Sequence, residues 1–277
     1  MSPDSALAAL DAVAGAGDAP LAIAETALAL ALLERVEGGL PAPDLAASLA
    51  ALDALVASVA EAESRGADPS AALAAGIAGR LGYRGDTDSY DDLANADLIR
   101  VIERRRGLPV ALGILYIHAA RARGHAAAGL NVPAHFLIGI AIGARRFALD
   151  PFHGGEPLDP DGLRALLRRV SPGAEDTPAA MLAVPDRAVL LRLQNNIKTR
   201  RLRTGDTSGG LAVLARMRRM APESVELVGE QAALLAASGA MRAATRSLRG
   251  WLDAGYGDPR ARRAVEAQLA GIGSRLN

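Results

Sequence analysis

The chain contains no cysteine. This absence excludes a disulfide framework, a thiolate zinc site and a catalytic thiol. Aromatic side chains make up only 3% of the residues, and there are four histidines, so few side chains can supply stacking or acid–base chemistry. The positions of those few side chains therefore narrow the search for a site.

The sequence also lacks a long hydrophobic run. Its most apolar stretch, LAIAETALALALL, is too short to cross a bilayer and is interrupted by Glu25. The first ten residues, MSPDSALAAL, lack the basic region and the apolar core of a signal peptide. We therefore expect a cytoplasmic protein with no membrane partner.

What the chain has in abundance is apolar side chains, which account for half of its 277 residues. Alanine and leucine supply most of them, and both have high helix propensity. The composition thus predicts a globular, mostly helical protein. A chain of this length can bury a sizeable core and form more than one structural unit.

Charge is segregated along the chain, although the formal net charge is zero. Residues 1–80 carry eleven Asp or Glu against three Arg, whereas residues 186–219 carry eight Arg and Lys198 against two Asp. The two segments could face each other in the fold, or either could meet a partner. Because aromatic side chains for base stacking are scarce, the basic segment does not favour nucleic acid as a partner.

The first third is predicted to be helical. Apolar residues recur at helical spacing, with Gly and Pro between the segments 4–16, 20–38, 42–64 and 69–81. The acidic stretch YRGDTDSYDDLANADL follows, and its alternating aspartates are weakly reminiscent of a calcium loop without the central Gly and closing Glu. We expect a solvated loop leading into a helix over 95–106 instead.

The middle of the chain predicts a helix followed by an antiparallel sheet. Pro109 suits a first helical position, and Gly124 suits the residue that ends the helix. HAAAGLNV predicts a short strand, and HFLIGIAI and RRFALD predict a hairpin joined by Gly143-Ala144.

Beyond Pro185 the pattern is helical again and has an internal period. Three pairs of similar residues share a 34-residue offset, namely Gly205 and Gly239, Gly210 and Ala244, and Leu214 and Leu248. This is the period of tetratricopeptide repeats, which contain two helices each. Two ordinary helical hairpins of similar length remain the alternative, because the Trp and Tyr usual early in such repeats are absent.

The hairpin brings a histidine and an aspartate together. With a two-residue turn, Ile142 faces Arg145, and the same register continues until Leu137 faces Asp150. His135 then lies on the same face as Asp150, about 7–8 Å away between Cα atoms, which permits a hydrogen bond. An aspartate on an imidazole fixes the tautomer and stabilises the imidazolium, as in a nucleophile–base–acid triad.

The order of these pieces resembles the transglutaminase-like superfamily, and more narrowly its bacterial branch with a transglutaminase-like core followed by tetratricopeptide repeats. The resembling segments, within about residues 80–270, are RRRGLPVALGILYIHAARARG, GLNVPAHFL, LDPFHGG and LLRLQNNIKTRRLRTGD. Active members of this superfamily use a Cys at the helix start, with His and Asp from neighbouring strands, to cleave or form amide bonds through a thioester. The resemblance implies that His135 is the base, that Asp150 orients it, and that the nucleophile would stand at or next to Ala111.

The resemblance also implies a groove around this pair, lined by binding residues. His153 either fixes the tight turn of PFHGG or adds a second imidazole, and a metal held by His135, Asp150 and His153 is the minor alternative. We predict no metal and no cofactor. The predicted binding residues are Arg106, Gly107, Ala111, Asn131, Phe136, His153, Asn195 and Asn196.

The segment GLPVALGILYIH departs from the active pattern, because it contains no Cys, Ser or Thr. We therefore predict a non-catalytic pseudoenzyme that binds a peptide or protein partner through its groove and helical repeats. A hydrolase or amide-bond enzyme in which His135 and Asp150 activate water or a substrate nucleophile is the alternative. The oligomeric state stays open.

Together these patterns predict a mostly helical α+β fold. Its parts are a helical N-terminal part over residues 1–82, a transglutaminase-like helix and antiparallel sheet over 83–183, and tetratricopeptide-like helical repeats over 184–277.

Overall fold

The computed structural model describes residues 1–130, 132, 135–143, 145–170 and 182–274. In this part of the chain the fold is α+β and mostly helical, with one five-stranded antiparallel sheet, as predicted. None of the helices described is both long and apolar enough to span a membrane.

The four N-terminal helices are present. They are α1 (Pro3–Gly15), α2 (Ile23–Glu37), α3 (Ala46–Ser64) and α4 (Pro69–Leu73), and α4 continues as a π-helical turn over Ala74–Arg80. The π turn contacts α3 closely, because a Cβ at Gly76 would lie 2.9 Å from the backbone nitrogen of Val59. The Ser58 hydroxyl donates to the Gly76 carbonyl at 2.9 Å, so backbone contact as well as apolar packing joins the two segments.

The acidic stretch is more ordered than we expected. Two short parallel strands, β1 (Arg84–Gly85) and β2 (Arg106–Gly107), enclose a 3₁₀ turn over Leu93–Asn95 and the helix α5 (Leu98–Arg104). Helix α5 is shorter at both ends than the predicted helix over 95–106. It begins at Leu98 and ends at Arg104, because Arg105 has a φ of 55° and Arg106 belongs to β2.

Asp86 is the reason for this order. It is buried, so the expectation of a solvated loop was wrong at this position. Its carboxylate accepts hydrogen bonds from the backbone N–H groups of Asp88 and Ser89 and pairs with Arg104 at 2.8 Å. Hydrogen bonds from the Ser89 backbone first, and also from the Ser89 and Asn95 side chains and the Asp88 backbone, hold the pKa of Asp86 well below its usual range.

The centre of the molecule is helix α6 (Pro109–Ala122), which is buried along nearly its whole length. The strands that follow are β3 (Ala126–Leu130), β4 (Leu137–Ile142), β5 (Arg145–Leu149), β6 (Pro157–Leu158) and β7 (Ala183–Val184), in the sheet order β6-β5-β4-β3-β7. A 3₁₀ turn (Pro151–His153) and helix α7 (Pro160–Val170) lie between β5 and β7.

Five helices complete the chain. They are α8 (Asp186–Arg203), α9 (Thr207–Met220), α10 (Val225–Ala237), α11 (Met241–Asp253) and α12 (Pro259–Gly273). The apolar faces of α8 and α9 belong to the main core, which also contains α2 and α6. The last three helices enclose a second core around Trp251, the only tryptophan of the chain.

The acidic and basic segments face each other within the fold. The guanidinium of Arg216, whose side chain is 2% exposed, contacts Glu34 and Glu37 of α2. Arg201 also contacts Glu34, and Arg219 pairs with Asp11 of α1 through two contacts of 2.5 and 2.6 Å. The sequence left open whether the acidic and basic segments pair with each other or with a partner. These arginines and carboxylates pair with each other.

Candidate functional site

The predicted hairpin has the predicted register. Ile142 faces Arg145, and the pairing continues to Ile138 opposite Leu149. Gly143 has a φ of 59°, which a side chain would make strained, so the sequence needs glycine at the first turn position. Ala144, the second turn position, lies outside the described residues.

This register brings His135, Asp150 and His153 together. Nε2 of His135 lies 2.8 Å from Oδ2 of Asp150, and Nδ1 of His153 lies 2.8 Å from the same oxygen. The other carboxylate oxygen accepts the backbone N–H of Phe152 at 3.0 Å, which fixes the orientation of Asp150. The predicted hydrogen bond between His135 and Asp150 is present, while their catalytic roles stay predictions.

Burial and hydrogen bonding act in opposite directions on Asp150, whose carboxylate is almost fully buried. Burial works to raise its pKa, but the hydrogen bonds and positive charges of His135 and His153 outweigh that effect and lower it. Asp150 is therefore ionised near neutral pH. An ionised carboxylate at this distance orients the His135 imidazole through their hydrogen bond.

Helix α6 positions both histidine-bearing loops. The ring of Phe136 lies against Gly113 of α6 and Gly129 of β3, where a Cβ would come within 2.3 and 2.9 Å of it. On the other side of the site, the Tyr116 hydroxyl donates to the Gly154 carbonyl at 3.1 Å. The residues on either side of the His–Asp pair are thus fixed to the same helix.

A cavity of about 240 Å³ opens beside His135, between the start of α6 and the face of α8. Its described lining consists of Tyr90, Leu108, Pro109, Val110, His135, Phe136, Arg192, Asn195 and Asn196. Three of the predicted binding residues therefore line one cavity with the predicted base. This cavity combines acid–base, amide, cationic and apolar groups in one place.

Ala111 does not line that cavity. It and its neighbour Val110 are both buried, Ala111 fully and Val110 with 2% of its surface exposed, but Val110 is the one that lines the cavity, at the second position of α6. A nucleophile with access to His135 would therefore stand at position 110 rather than 111.

The remaining predicted binding residues are outside the cavity lining. Arg106 pairs with Asp88 at 3.0 Å on the surface. Gly107 is buried in β2, where a Cβ would lie 2.9 Å from the side chain of Val101, so its role in the structure is close packing. Asn131 lies outside the described residues.

The sequence interpretation missed Arg192 and Tyr90. Arg192 donates to the carbonyl oxygens of Val132 and His135, and its Cζ lies 5.5 Å from the centre of the Phe136 ring. Tyr90 stacks edge-on against Phe152, with ring centres 5.9 Å apart. An arginine within the apolar run VLLRLQNN was the available signal, but only the docking of α8 shows which way it points.

Among the described residues, His135, Asp150 and His153 form the group that could hold a metal ion. Their potential ligand atoms all lie within 4.8 Å of one another, and imidazole and carboxylate are ligands that suit Zn²⁺. The shared Asp150 oxygen already accounts for their convergence through two hydrogen bonds, so our prediction of no metal is unchanged.

Another cavity, of about 260 Å³, lies over one face of the sheet. Its described lining is mostly apolar, including Ala126, Ala128 and Ile140, with Arg146 as the charged member. It offers no acid–base pair. A further cavity, of about 300 Å³, is lined by Asp150, the predicted binding residue His153, and Glu156. The cavity beside His135 is the candidate functional site because it combines the predicted base with the start of α6, where a nucleophile would stand.

Curated relatives match parts of this chain. A UPF0162 protein of Xylella fastidiosa is 35% identical over 122 residues, which is 43% of each chain. A UPF0162 protein of Vibrio cholerae is 32% identical over 124 residues, 44% of this chain and 46% of the relative. These matches span less than half the length of either relative. F-box only protein 21 of Mus musculus is 33% identical over 73 residues, 26% of this chain and 12% of that protein.

No solved structure matches the chain. A family model described as the transglutaminase-like superfamily matches residues 46–195, a range that includes α6, the hairpin, His135, Asp150 and the first half of α8. Because this match covers more than half of the sequence, the chain belongs to the transglutaminase-like superfamily.

Proposed function

We propose that the protein is a non-catalytic member of the superfamily that binds a peptide segment of a partner in the cavity beside His135. The observation that carries this proposal is the start of α6, where Pro109 and Val110 line the cavity opposite the intact His135–Asp150 pair. Neither side chain can attack a carbonyl group, so acyl transfer has no nucleophile. Tyr116 does not replace it, because its hydroxyl is committed to Gly154 inside the fold.

The chemistry of the cavity lining supports a peptide ligand. Phe136, Pro109 and Val110 supply an apolar wall, and Asn195 supplies an amide that has no hydrogen-bond partner among the described residues. A peptide offers both apolar side chains and backbone groups that can pair with such an amide. The cavity is therefore suited to recognition even without a reaction.

The C-terminal helices supply a second surface, which we interpret as tetratricopeptide-like repeats within residues 184–277. Helices α9 and α11 begin at Thr207 and Met241, 34 positions apart, and α10 and α12 begin at Val225 and Pro259, also 34 apart. Equal spacing of helix starts supports a repeated two-helix unit. The units over 1–82 and 83–183, together with α8, would form the peptide-binding core, because α8 supplies one wall of the cavity.

A hydrolase that activates water is the second candidate. The ionised Asp150 holds the His135 imidazole in one orientation, and a general base acting on bound water needs no side-chain nucleophile. Its expected substrates are amides or esters that fit the same cavity.

One experiment tests both candidates. A pool of random hexapeptides is passed over the immobilised full-length protein, and retained and released peptides are identified by mass spectrometry. A parallel column carries the His135→Ala variant, and a third carries His118→Ala, which removes an imidazole away from the cavity.

The proposed function predicts retention of uncleaved peptides by the natural protein and by His118→Ala, with weaker retention by His135→Ala. If peptides are cleaved and the cleavage depends on His135, the hydrolase is the correct function and the non-catalytic binding protein is ruled out. Equal behaviour of all three columns would contradict both candidates.

A further inference from the structure

Arg192 carries a charge that no described carboxylate balances. Among the described residues, its guanidinium donates to the backbone carbonyls of Val132 and His135. Other arginines of the fold contact an Asp or Glu, namely Arg104, Arg121, Arg200, Arg201 and Arg216. A half-buried cation without a counter-charge is unfavourable, and burial lowers the pKa of Arg192 accordingly.

The groups around Arg192 are donors that converge on the same cavity. Asn195, one turn along α8, is exposed and lines the cavity with Arg192. On the opposite wall, the backbone N–H of Val110 has no acceptor within α6, and Leu108 at the helix start provides no side-chain cap. Arginine, amide and backbone donors on two walls form a surface that is complementary to an anion.

We propose that this cavity recognises a carboxylate, and that the carboxylate is the C-terminal end of the bound peptide. This inference rests on the proposed function and names its ligand class. Both terminal nitrogens of Arg192 are held by the Val132 and His135 carbonyls, so Arg192 contributes its positive charge and its Nε–H to the carboxylate. Asn195 donates to one of the carboxylate oxygens, and the apolar wall at Phe136 and Pro109 receives the last side chain of the peptide.

A monoanion fits this site better than a phosphate. Arg192 is the cation of the described lining, and the nearby Arg200 is already engaged by Asp91 at 3.3 Å and by the Tyr90 carbonyl at 3.2 Å. One positive charge balances a carboxylate but leaves a phosphate dianion partly unpaired. The volume of about 240 Å³ is also smaller than the roughly 300–1,000 Å³ typical of sites for drug-sized ligands. A cavity of this size suits the last residue of a peptide better than a whole drug-sized molecule.

Three peptide pools test the inference. The first contains random hexapeptides without Asp or Glu and with a free C-terminal carboxylate. The second has the same composition but ends in a C-terminal amide, and the third is an amide pool with Asp fixed at the last position. Equimolar mixtures are applied to the immobilised full-length protein, and retention is quantified by mass spectrometry.

Three variants complete the design. Asn195→Asp changes an exposed side chain without changing its shape and places a negative charge on the cavity wall. Arg187→Gln changes the net charge by the same amount on the same helix but away from the cavity, where Arg187 pairs with Glu223 at 2.8 Å. Arg192→Gln, which removes the positive charge of the cavity just as Arg187→Gln removes one elsewhere on the helix, serves as a second cavity variant, and circular dichroism checks that all three fold.

We expect the natural protein and Arg187→Gln to retain the free-acid pool at least about tenfold better than the amide pool, since a charge-assisted hydrogen bond is lost in the amide. Asn195→Asp and Arg192→Gln should each abolish most of this preference. Equal, His135-dependent retention of acid and amide pools would overturn the carboxylate inference while leaving the proposed function intact. Retention of the Asp-ended amide pool as strong as that of the free acids would overturn the assignment to the chain end, and retention of no pool would count against the proposed function itself.

Discussion

Asp150 is the residue on which the site depends, because one of its oxygens serves both His135 and His153. Its folded pKa is lower than the unfolded value, so it contributes stability that is present above the unfolded pKa of about 3.9 and is lost as the pH falls through the folded pKa. The interactions of this carboxylate should therefore be visible as a pH-dependent part of the free energy of unfolding.

Asp150→Asn should lower the free energy of unfolding by about 1–3 kcal/mol at pH 7, because charge-assisted hydrogen bonds become neutral ones. The difference from the natural protein should shrink as the pH falls below about 4. Urea unfolding at pH 7, 5, 4 and 3 measures it, with the exposed Asp53→Asn as the control that should change little at any pH. A difference for Asp150→Asn that is the same at pH 7 and pH 3 would contradict this linkage.

Position 110 is where the structure places the missing nucleophile. Because the chain has no other thiol, Val110→Cys should give a single alkylation site. We expect the pKa of that thiol to lie below the ordinary value of about 8.5, since the start of α6 and a protonated His135 both favour the thiolate. The pH dependence of iodoacetamide alkylation measures it.

Ala111→Cys is the matched control: both positions are buried, but position 111 does not line the cavity, so its thiol should react more slowly than the thiol at 110. Adding His135→Ala to Val110→Cys should move the alkylation profile toward the ordinary thiol pKa. Faster reaction at 111 than at 110 would show that the vacant position has been assigned to the wrong residue.

At the scale of elements, α6 acts as the scaffold on which both loops of the site rest. Position 113 of α6 requires glycine because the Phe136 ring occupies the space that a side chain at this position would need. The backbone conformation at Gly113 does not itself require glycine. The residue next to Phe136 is His135, so the packing of this ring sets the position of the imidazole.

Gly113→Ala should therefore destabilise the fold by about 1–3 kcal/mol, although alanine is the better helix former. Gly250→Ala in α11 is the matched control, because nothing lies within 4 Å of its added Cβ, and it should be neutral or stabilising by up to about 1 kcal/mol. Urea unfolding of both variants at pH 7 tests the pair. Equal stability of the two variants would mean that Phe136 moves aside without cost.

At the scale of the whole molecule, α8 and α9 belong to the main core although they follow the sheet in sequence. Leu190 and Leu193 of α8 and Leu214 of α9 are almost fully buried there. Asp186 of α8 also pairs with Arg121 of α6 through contacts of 2.5 and 2.9 Å and accepts the backbone N–H of Leu21. The last three helices instead share the second core around Trp251.

Two truncations should consequently behave differently. Ending the chain after residue 224 removes mainly the second core, so the remainder should stay folded and monodisperse. Ending it after residue 183 removes α8 and α9 and uncovers the apolar faces of α2 and α6, so aggregation is expected. Far-UV circular dichroism and size-exclusion chromatography distinguish these outcomes, and a 1–183 fragment as heat-stable as the full chain would contradict them.

Much of the architecture could be predicted because it depends on local patterns. The spacing of apolar residues and the positions of Gly and Pro predicted the N-terminal helices, α6 and the hairpin. The length of the two-residue turn was sufficient to predict the register that brings His135 to Asp150. The short strands β1, β2, β6 and β7 were missed, since two residues carry no detectable periodicity. The order within the acidic stretch was missed because it depends on Asp86 meeting Arg104, 18 residues away.

The sequence by itself determined the helical character of the protein, the His135–Asp150 pair and the absence of any thiol, because each follows from composition or from neighbours along the chain. Only the tertiary structure decided that Val110 rather than Ala111 faces the cavity, that the acidic and basic segments pair with each other, and that Arg192 lies beside His135. These features depend on how α8 and α9 pack against α2 and α6. Such packing is set by the burial of whole helix faces, which no local stretch of sequence specifies.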